Sequence, residues 1–326
     1  MRFARIAFPV IRRHGTTLIS QSARVVGNTH ALYKGCGSIS QCFIQEIVPL
    51  YLTIKMLKSS LKALSLSALS FASLVQGQVW NANKTLNVGF LIFPGYEPLD
   101  IYGPLEILYL LQGSANISVS TISYEAGPVS AVVPTLAHLK VAPQTIATHS
   151  LADAPALDVL IAPGGRGVNY ALDDTKDTRI EEFIASRYES TPYVLSVCNG
   201  AAWLARAGVL KGLRATTNKA TWTWVTDPKH GEGIDWVPTA RWIQNEGDKV
   251  WTSSGISAGI DMTYAFLKYL YGAAKINPVM NIMEYTPHTD ADWDSFSVVH
   301  NVPGADKNRS ISDCVAPAGY EPNCSS

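Results

Sequence analysis

The feature that most constrains the fold is a series of short, almost wholly apolar runs, each of which ends in turn residues. Residues 87–93 (NVGFLIF) lead into Pro-Gly, residues 158–162 (DVLIA) into Pro-Gly-Gly, and residues 193–197 (YVLSV) into Cys-Asn-Gly. Apolar runs of this length without a polar face are typical of strands that are buried on both sides. The sequence therefore predicts a sheet that is covered on both faces.

Segments with helical character alternate with these runs. The sequence predicts helices over residues 105–111, 177–187, 201–207 and 260–270, and further strands over residues 117–124 and 250–252. The first helix follows Gly103-Pro104, where a proline suits the first helical turn. Strands that alternate with helices favour an α/β fold with a parallel sheet sandwiched between helices. In such sheets the functional groups collect at the carboxyl ends of the strands.

Charge divides the 326 residues into a basic leader and an acidic body. Residues 1–77 hold nine of the 26 basic side chains and one of the 26 acidic ones, so residues 78–326 hold 17 basic and 25 acidic groups. We expect this body, with its net negative charge, not to bind nucleic acid. We divide the chain into an N-terminal extension (1–55), a signal peptide (56–77), an α/β domain (84–275) and an irregular C-terminal extension (276–326).

The leader predicts export. Lys58 and Lys62 precede an apolar stretch of thirteen residues, and Val75 and Gly77 are small residues at the −3 and −1 positions of a signal-peptide cleavage site. Thirteen residues are too few for a helix that spans a bilayer, so we expect a secreted protein without stable membrane insertion after cleavage. Residues 1–55 are rich in arginine, as in a mitochondrial presequence; we favour Met56 as the true start and keep a mitochondrial location as the alternative. Four tripeptides, at Asn83, Asn116, Asn308 and Asn323, are acceptors for N-glycosylation, which would suit an exported glycoprotein.

Five cysteines are too scattered for a disulfide framework. Cys314 and Cys324 lie in the tail and form a candidate disulfide in an oxidising compartment. Cys198 is left unpaired. A lone thiol of this kind is either buried and inert or retained for its reactivity.

The surroundings of Cys198 favour reactivity. The residue lies between a predicted strand and a helix of small residues, in Ser-Val-Cys-Asn-Gly-Ala-Ala, which is the arrangement of a nucleophile elbow. The N-terminus of the following helix is expected to stabilise a thiolate, and Gly200 lets the backbone approach closely. Asp100 follows the first strand in an apolar neighbourhood, where burial would keep its carboxyl protonated and able to transfer a proton. The alternative role of Asp100 is a helix N-cap.

Four segments together resemble the DJ-1/PfpI superfamily, and within it the isonitrile hydratase branch. They read FPGYEPLDIYGPLE, LADAPALDVLIAPGG, YVLSVCNGAAWLARAGVLKGLRATT and SSGISAGIDM, within residues 86–272. The resemblance implies a flavodoxin-like sandwich, a homodimer, a small-molecule substrate, Cys198 as the nucleophile and Asp100 as its acid partner. It also implies that the backbone of Gly164, Gly165, Asn199 and Gly200 forms the pocket for a developing negative charge, lined by the N–H groups of the first three.

The sequence departs from the family pattern in two places. Asn199 stands where these hydratases usually carry threonine and the PfpI-type proteases carry histidine, so a protease would lack its base. Asn218 and Lys219 stand where many relatives have His-Trp. The resemblance favours hydration of an isonitrile to an N-formamide. The alternatives are glyoxalase-type hydration of an α-oxoaldehyde and a non-catalytic ligand-binding or redox-sensing module.

No cofactor or metal is expected. The histidines form no pair at helical spacing, the chain has no C-x-x-C, and the Gly-rich segment at 164–167 lacks the spacing of a phosphate loop. The tract of His288, Asp290, Asp292 and Asp294 is interpreted as a solvated loop.

Overall fold

The computed structural model describes residues 80–320 apart from residues 82, 134–141, 246, 313–314 and 316–317. The strands are β1 (Leu86–Leu91), β2 (Ile117–Ser123), β3 (Gly127–Ser130), β4 (Gln144–Ala147), β5 (His149–Ser150), β6 (Val159–Ala162), β7 (Tyr193–Ser196), β8 (Arg214–Ala215), β9 (Asp235–Trp236), β10 (Trp242–Gln244) and β11 (Val250–Ser253). The α-helices are α1 (Pro98–Leu111), α2 (Arg166–Asn169), α3 (Arg179–Arg187), α4 (Ala201–Arg206), α5 (Trp222–Val225), α6 (Ser257–Tyr271), α7 (Ala273–Ile282) and α8 (Phe296–Val299).

Within the described residues, seven strands form one sheet in the order β10-β11-β7-β6-β1-β2-β5. Every neighbouring pair in this sheet is parallel except β10 with β11, which is antiparallel. Two small sheets, β3-β4 and β8-β9, lie outside it. The predicted α/β fold class is confirmed, and the antiparallel edge strand β10 is its one departure from a purely parallel sheet.

The centre of the sheet explains why the chemistry gathers at one edge. All residues of β6 and β7 are buried, and the register pairs Ala162 with Ser196, so the two strands end side by side. Next to them lies β1, where the chain changes the direction in which it adds strands. In open α/β sheets the binding crevice lies outside the carboxyl ends of the strands at this switch point.

Helices flank the sheet in two groups. Helix α1 packs against α6 and α7, whereas α3 packs against α4. The buried face of α6 includes Ile260, Met262 and Leu267. Each fully buried side chain of this kind contributes about 1.5–3 kcal/mol to folding. The core therefore runs on both faces of the sheet, as the apolar strands predict.

The start of the first helix differs from the prediction. Helix α1 begins at Pro98, not at Pro104, and Pro104 lies inside it. Glycine at position 103 allows α1 to pack closely against Ile260, because a Cβ at this position would lie 2.6 Å from the Ile260 side chain. The earlier start places Asp100 in the first turn of the helix, where it is fully buried.

The expected irregular extension from residue 276 is wrong in its first part. Residues Ala273–Ile282 form helix α7, which buries Ile276, Val279 and Met280 against the core. The polar residues of this segment and Pro278 inside the helix hide the amphipathic pattern in the sequence. The compact domain therefore continues past the predicted boundary at residue 275.

Several predictions lie outside the described residues. The signal peptide, the arginine-rich extension and the Cys314–Cys324 pair all involve such residues, so secretion, the mitochondrial alternative and the disulfide stay predictions. Asn83, Asn116 and Asn308 are exposed, and their glycosylation also stays a prediction. None of the helices in the described ranges is both long and apolar enough to cross a membrane.

Candidate active site

Cys198 lies in the tight turn between β7 and α4. Its backbone has a positive φ of 58°, which is uncommon for a residue with a side chain and characteristic of strained functional positions. The Cys198 N–H donates to the Ser254 carbonyl (3.1 Å), and the Thr217 hydroxyl donates to the Cys198 carbonyl (3.0 Å). A Cβ at Gly200 would lie 2.3 Å from the Ala162 carbonyl oxygen, so only glycine fits there. The structure thus has the predicted elbow geometry.

The thiol borders a cavity but is itself mostly buried. Cys198 is 8% exposed and lines a cavity of about 260 Å³. Burial raises the pKa of the Cys198 thiol well above its usual value, and the neighbouring Asp100 carboxyl raises it further; the N–H groups of Asn199 and Ile256 act in the opposite direction. Burial therefore favours a neutral thiol, in opposition to the thiolate expected from the helix N-terminus.

Asp100 is a buried carboxyl without a countercharge. Its Oδ2 accepts a hydrogen bond from the Gly164 N–H (2.8 Å), whereas its Oδ1 is buried and has no hydrogen-bond partner. Burial raises the pKa of Asp100 to about 8, and the charge of Glu97 adds to the shift. At neutral pH the carboxyl is therefore mostly protonated. Because Oδ2 already accepts a hydrogen bond, the proton belongs on Oδ1.

Gly164 connects the acid to the nucleophile. Its N–H is bound to Asp100, and a Cβ at this glycine would lie 2.9 Å from the Cys198 Cβ. The same Cβ would lie 2.2 Å from the Asn199 Oδ1. The first turn of α1, the loop after β6 and the elbow after β7 are thus packed against one another without room for a further methyl group. Sequence analysis expected Asp100 and Cys198 to act together, and this packing brings their chain segments into contact.

The predicted set of backbone donors needs correction. The Gly164 N–H donates to Asp100, the Gly165 N–H donates to the Asn199 Oδ1 (2.7 Å), and the Gly200 N–H donates to the Val197 carbonyl (3.0 Å). These three glycines therefore hold the loops together and are not open to a substrate charge. Of the predicted donors, only the Asn199 N–H is directed at the Cys198 sulfur.

Ile256 supplies the second donor to the sulfur, and the sequence analysis missed it. Its N–H approaches the Cys198 Sγ, and its backbone is strained (φ 35°, ψ −83°) at the start of α6. A β-branched residue in this conformation is a genuine outlier, which points to a functional constraint. The only sequence signal was the Gly-Ile-Ser-Ala-Gly turn itself.

The side chain of Asn199 explains why asparagine suits this position. Its Oδ1 accepts from the Gly165 N–H, and its Nδ2 donates to the Gly165 carbonyl (3.1 Å). The Asn199 side chain therefore binds both the N–H and the carbonyl of Gly165, as a neighbouring strand would, and holds the Gly-Gly loop in place. Asn199 therefore acts as a structural clamp, and its side chain supplies no base.

An ion-pair cluster borders the cavity. It consists of Lys219, Arg241, Asp261 and Asp294, all nearly inaccessible to solvent, and all but Asp261 line the cavity. Arg241 binds Asp261 through Nε (2.7 Å) and Nη2 (2.6 Å). Asp294 lies 3.8 Å from the Lys219 Nζ and 3.6 Å from the Arg241 Nη1. The interpretation of Asp294 as part of a solvated loop is therefore wrong; Asp290 and Asp292 are exposed, as expected.

Lys219 has no free donor. Its Nζ donates to the Thr216 hydroxyl (2.8 Å), the Ala240 carbonyl (2.8 Å) and the Thr217 carbonyl (3.2 Å). Burial lowers the pKa of Lys219 to about 8, although Asp294 opposes the shift. A buried charge without partners would be far more costly, so the network explains how a lysine is tolerated at this buried position.

Metal ligands do not gather in the described part of the chain. No group of three or more His, Cys, Asp or Glu side chains in that part could hold a metal ion. Cys198 is the free cysteine that the structure describes.

Comparison with known proteins gives one family. A model described as "DJ-1/PfpI family" matches residues 87–269. The isonitrile hydratase of Pseudomonas putida is 32% identical over 202 residues, which cover 62% of this chain and 79% of the relative.

Solved structures share the fold. A ThiJ/PfpI family protein from Pseudomonas syringae aligns with a TM-score of 0.51 at 23% identity, covering 63% of this chain and 77% of its own. An AraC family transcriptional regulator from Pseudomonas putida aligns with a TM-score of 0.50 at 16% identity, covering 61% and 99%. At these identities the structures support the architecture alone.

Proposed function

Because this chain belongs to the DJ-1/PfpI family, we propose that it is a cysteine-dependent enzyme that hydrates a small isonitrile to an N-formamide. Similarity to the isonitrile hydratase of Pseudomonas putida supports this reaction class. One observation carries the proposal. Beside the buried thiol of Cys198 lies a buried carboxyl, Asp100, whose Oδ1 has no partner and whose pKa is raised to about 8.

The reaction requires this pairing of a nucleophile and an acid. The terminal carbon of an isonitrile carries a lone pair and must receive both a proton and a nucleophile. Asp100 donates its Oδ1 proton to that carbon, and the sulfur lone pair of Cys198 forms the C–S bond to the same atom. The S–H proton passes to the vacated carboxylate, which restores the acid. The product of this step is a thioimidate, and no free thiolate is formed.

Water completes the cycle. It adds to the thioimidate carbon, and one of its protons goes to the imine nitrogen. The resulting intermediate collapses as the C–S bond breaks and the hydroxyl proton returns to sulfur, releasing the N-formamide. The N–H groups of Asn199 and Ile256, which approach the sulfur, stabilise the negative charge that grows there as the C–S bond breaks.

The protonation states argue against a redox sensor. Cysteines that sense oxidants are usually exposed and have a low pKa, because the thiolate is the form that reacts. Cys198 is buried and has a raised pKa, so its surroundings suit the addition of a neutral thiol. As parts of the same proposal, the substrate is a small molecule and the protein forms a homodimer.

The test is turnover of a panel of alkyl isonitriles and methylglyoxal by the purified protein and by Cys198→Ser. We expect formamide production from the isonitriles, lost by at least about 10³-fold in the variant, since a catalytic nucleophile has no substitute. Conversion of methylglyoxal without hydration of any isonitrile would assign the glyoxalase-type reaction instead. Hydration at the full rate by Cys198→Ser would refute the role of the thiol.

A further inference from the structure

One wall of the Cys198 cavity comes from outside the part of the chain that matches the family. The family match ends at residue 269, whereas Asp294, Phe296 and His300 line the cavity. These residues lie just before, within and just after helix α8. We refer to residues 294–300 as the C-terminal wall.

Buried contacts fix this wall in place. The Asp294 carboxyl faces Lys219 and Arg241, and its Oδ1 also accepts from the Phe296 N–H (3.2 Å). The Asp294 N–H donates to the Thr239 carbonyl (2.6 Å). A segment tied to two buried cations and to the backbone of a neighbouring loop holds one position. Its side chains can therefore act as a preformed part of the site.

The charges in the cavity are already paired. Lys219 and Arg241 are balanced by Asp261 and Asp294, and every Lys219 donor is used. A substrate with an ionised group would lose its hydration and find no unpaired buried countercharge here, since His300, the remaining basic residue of the lining, is exposed to solvent. The cavity therefore favours an uncharged ligand.

The mouth of the cavity is apolar and partly exposed. The side chains of Phe296 and Ile256 both line it, and these residues are 49% and 38% exposed. A ligand that covers them removes apolar surface from water, which stabilises binding by about 25 cal/mol per Å². The volume of about 260 Å³ is below the range of about 300–1,000 Å³ that is usual for drug-sized ligands. Only a compact substituent fits.

We infer that the C-terminal wall determines the specificity of this site, and that it selects small, uncharged substrates whose apolar substituent packs against Phe296. The substrate class rests on the proposed function, since the substituent is the one attached to the isonitrile nitrogen. The wall itself rests on the cavity and on the contacts of Asp294.

The first experiment compares kcat/KM for benzyl isonitrile and methyl isonitrile. We expect the ratio of kcat/KM for benzyl isonitrile to kcat/KM for methyl isonitrile to fall about tenfold in Phe296→Ala. This is the usual effect of losing an apolar contact in a binding pocket. Val299→Ala is the matched control, because Val299 lies in the same helix and is 56% exposed but does not line the cavity. An unchanged preference in Phe296→Ala, or an equal change in Val299→Ala, would overturn the inference.

A second measurement does not depend on turnover. Alkylation of Cys198 by iodoacetamide, N-benzyl iodoacetamide and the anion iodoacetate is followed on its own peptide by mass spectrometry, with a short cysteine peptide as the reference. We expect selection against iodoacetate relative to the reference, and a lower ratio of benzyl to plain reagent in Phe296→Ala. Equal selectivity in the protein and the peptide would contradict the wall. If the pattern holds while no isonitrile is hydrated, the proposed function fails and the wall stands.

Discussion

The two sides of Cys198 bury carboxyl groups in opposite ways. On the acid side, Asp100 has no cation beside it, and one of its oxygens has no partner. On the ion-pair side, Asp261 receives the Arg241 guanidinium, the Tyr285 hydroxyl and the His288 N–H. Burial without a countercharge raises the pKa of Asp100 to about 8, whereas at Asp261 the charge and hydrogen bonds of Arg241 oppose the rise in pKa that burial causes. The first arrangement leaves Asp100 with a proton that it can transfer. The second holds Arg241 in place, and Arg241 in turn faces Asp294 of the C-terminal wall.

The comparison explains how two buried aspartates of one domain can have different functions. A protonated Asp100 can donate to a substrate carbon because its proton is not engaged elsewhere. Asp261 is not free to do so, since both of its oxygens already accept hydrogen bonds. Substitution by asparagine separates the two cases, because asparagine resembles a protonated aspartate in shape and hydrogen bonding but has no proton to transfer and no charge.

The largest expected effect is that of Asp100→Asn on catalysis. The asparagine oxygen still accepts from the Gly164 N–H, and the unfolded variant has no carboxyl to ionise, so we expect the variant to be more stable than the wild type at neutral pH. Without the transferable proton, kcat for an isonitrile should fall by about 10²–10⁴-fold, the usual contribution of a general acid. Steady-state kinetics and thermal unfolding measure the two effects. A variant that is destabilised and fully active would reverse the roles of the two sides.

Asparagine substitution of Asp261, in the ion-pair cluster, should lower the stability of the fold. Asp261→Asn leaves the Arg241 cation buried without the carboxylate that its Nε and Nη2 contact, so we expect a loss of about 3–5 kcal/mol in the free energy of unfolding. The control is Asp235→Asn, because Asp235 pairs with Arg214 at 4.0 Å with both side chains exposed. Exposed pairs contribute about 0–1 kcal/mol. Equal losses in the two variants, measured by urea unfolding, would show that burial of the cluster has no energetic consequence.

Gly164→Ala tests the contact that joins the acid to the thiol. The added methyl would overlap the Asn199 Oδ1, so we expect a loss of about 1–3 kcal/mol in stability. Gly113→Ala is the control, because the nearest atom to a Cβ there lies at 4.0 Å. We expect a change of no more than about 0.5 kcal/mol in the control. Matching stabilities of the two variants would mean that the packing around Gly164 is loose.

The pH dependence of stability should carry the signature of Asp100. Its pKa is raised from 3.8 to about 8 by folding. The folded state therefore binds more protons than the unfolded state between about pH 4 and pH 8. The stabilisation is fully present below the unfolded pKa and is lost as the pH rises through the folded pKa, by at most about 1.4 kcal/mol per pH unit.

The difference between the wild type and Asp100→Asn isolates this contribution. We expect the free energy of unfolding of the wild type to fall relative to the variant between about pH 4 and pH 8. The pKa of Lys219 is lowered to about 8, so its contribution to stability changes with pH above that range. The contribution is the same in both proteins. Parallel pH profiles would show that Asp100 has the same pKa in the folded and unfolded states.

The sequence predicted the parts of the site that are set by local order along the chain. The elbow at Cys198 follows from a buried strand, a Cys-Asn-Gly turn and a helix of small residues, which are adjacent in the sequence. Asp100 followed from its place after the first strand. The parallel sheet then brings the ends of β1, β6 and β7 together, so its topology alone carries these residues to one edge.

The sequence did not predict the features that depend on distant contacts. Asp294 faces Lys219 across the fold, and nothing in a run of alternating aspartates distinguishes the buried one. The effect of burial on the pKa of Cys198 was not predicted, because the helix N-terminus is visible in the sequence and the degree of burial is not. The glycine donors were misassigned since the Asn199 side chain and the Asp100 carboxyl occupy them, which only tertiary packing shows.

The protonation state of Asp100 is the central claim and can be observed directly. Selective ¹³C labelling of aspartate carboxyl groups, with Asp100→Asn to assign the resonance, allows the group to be titrated by NMR in the folded protein. We predict that Asp100 titrates near pH 8 and is protonated at neutral pH. A titration near pH 4, or none because the group is ionised throughout, would contradict the account.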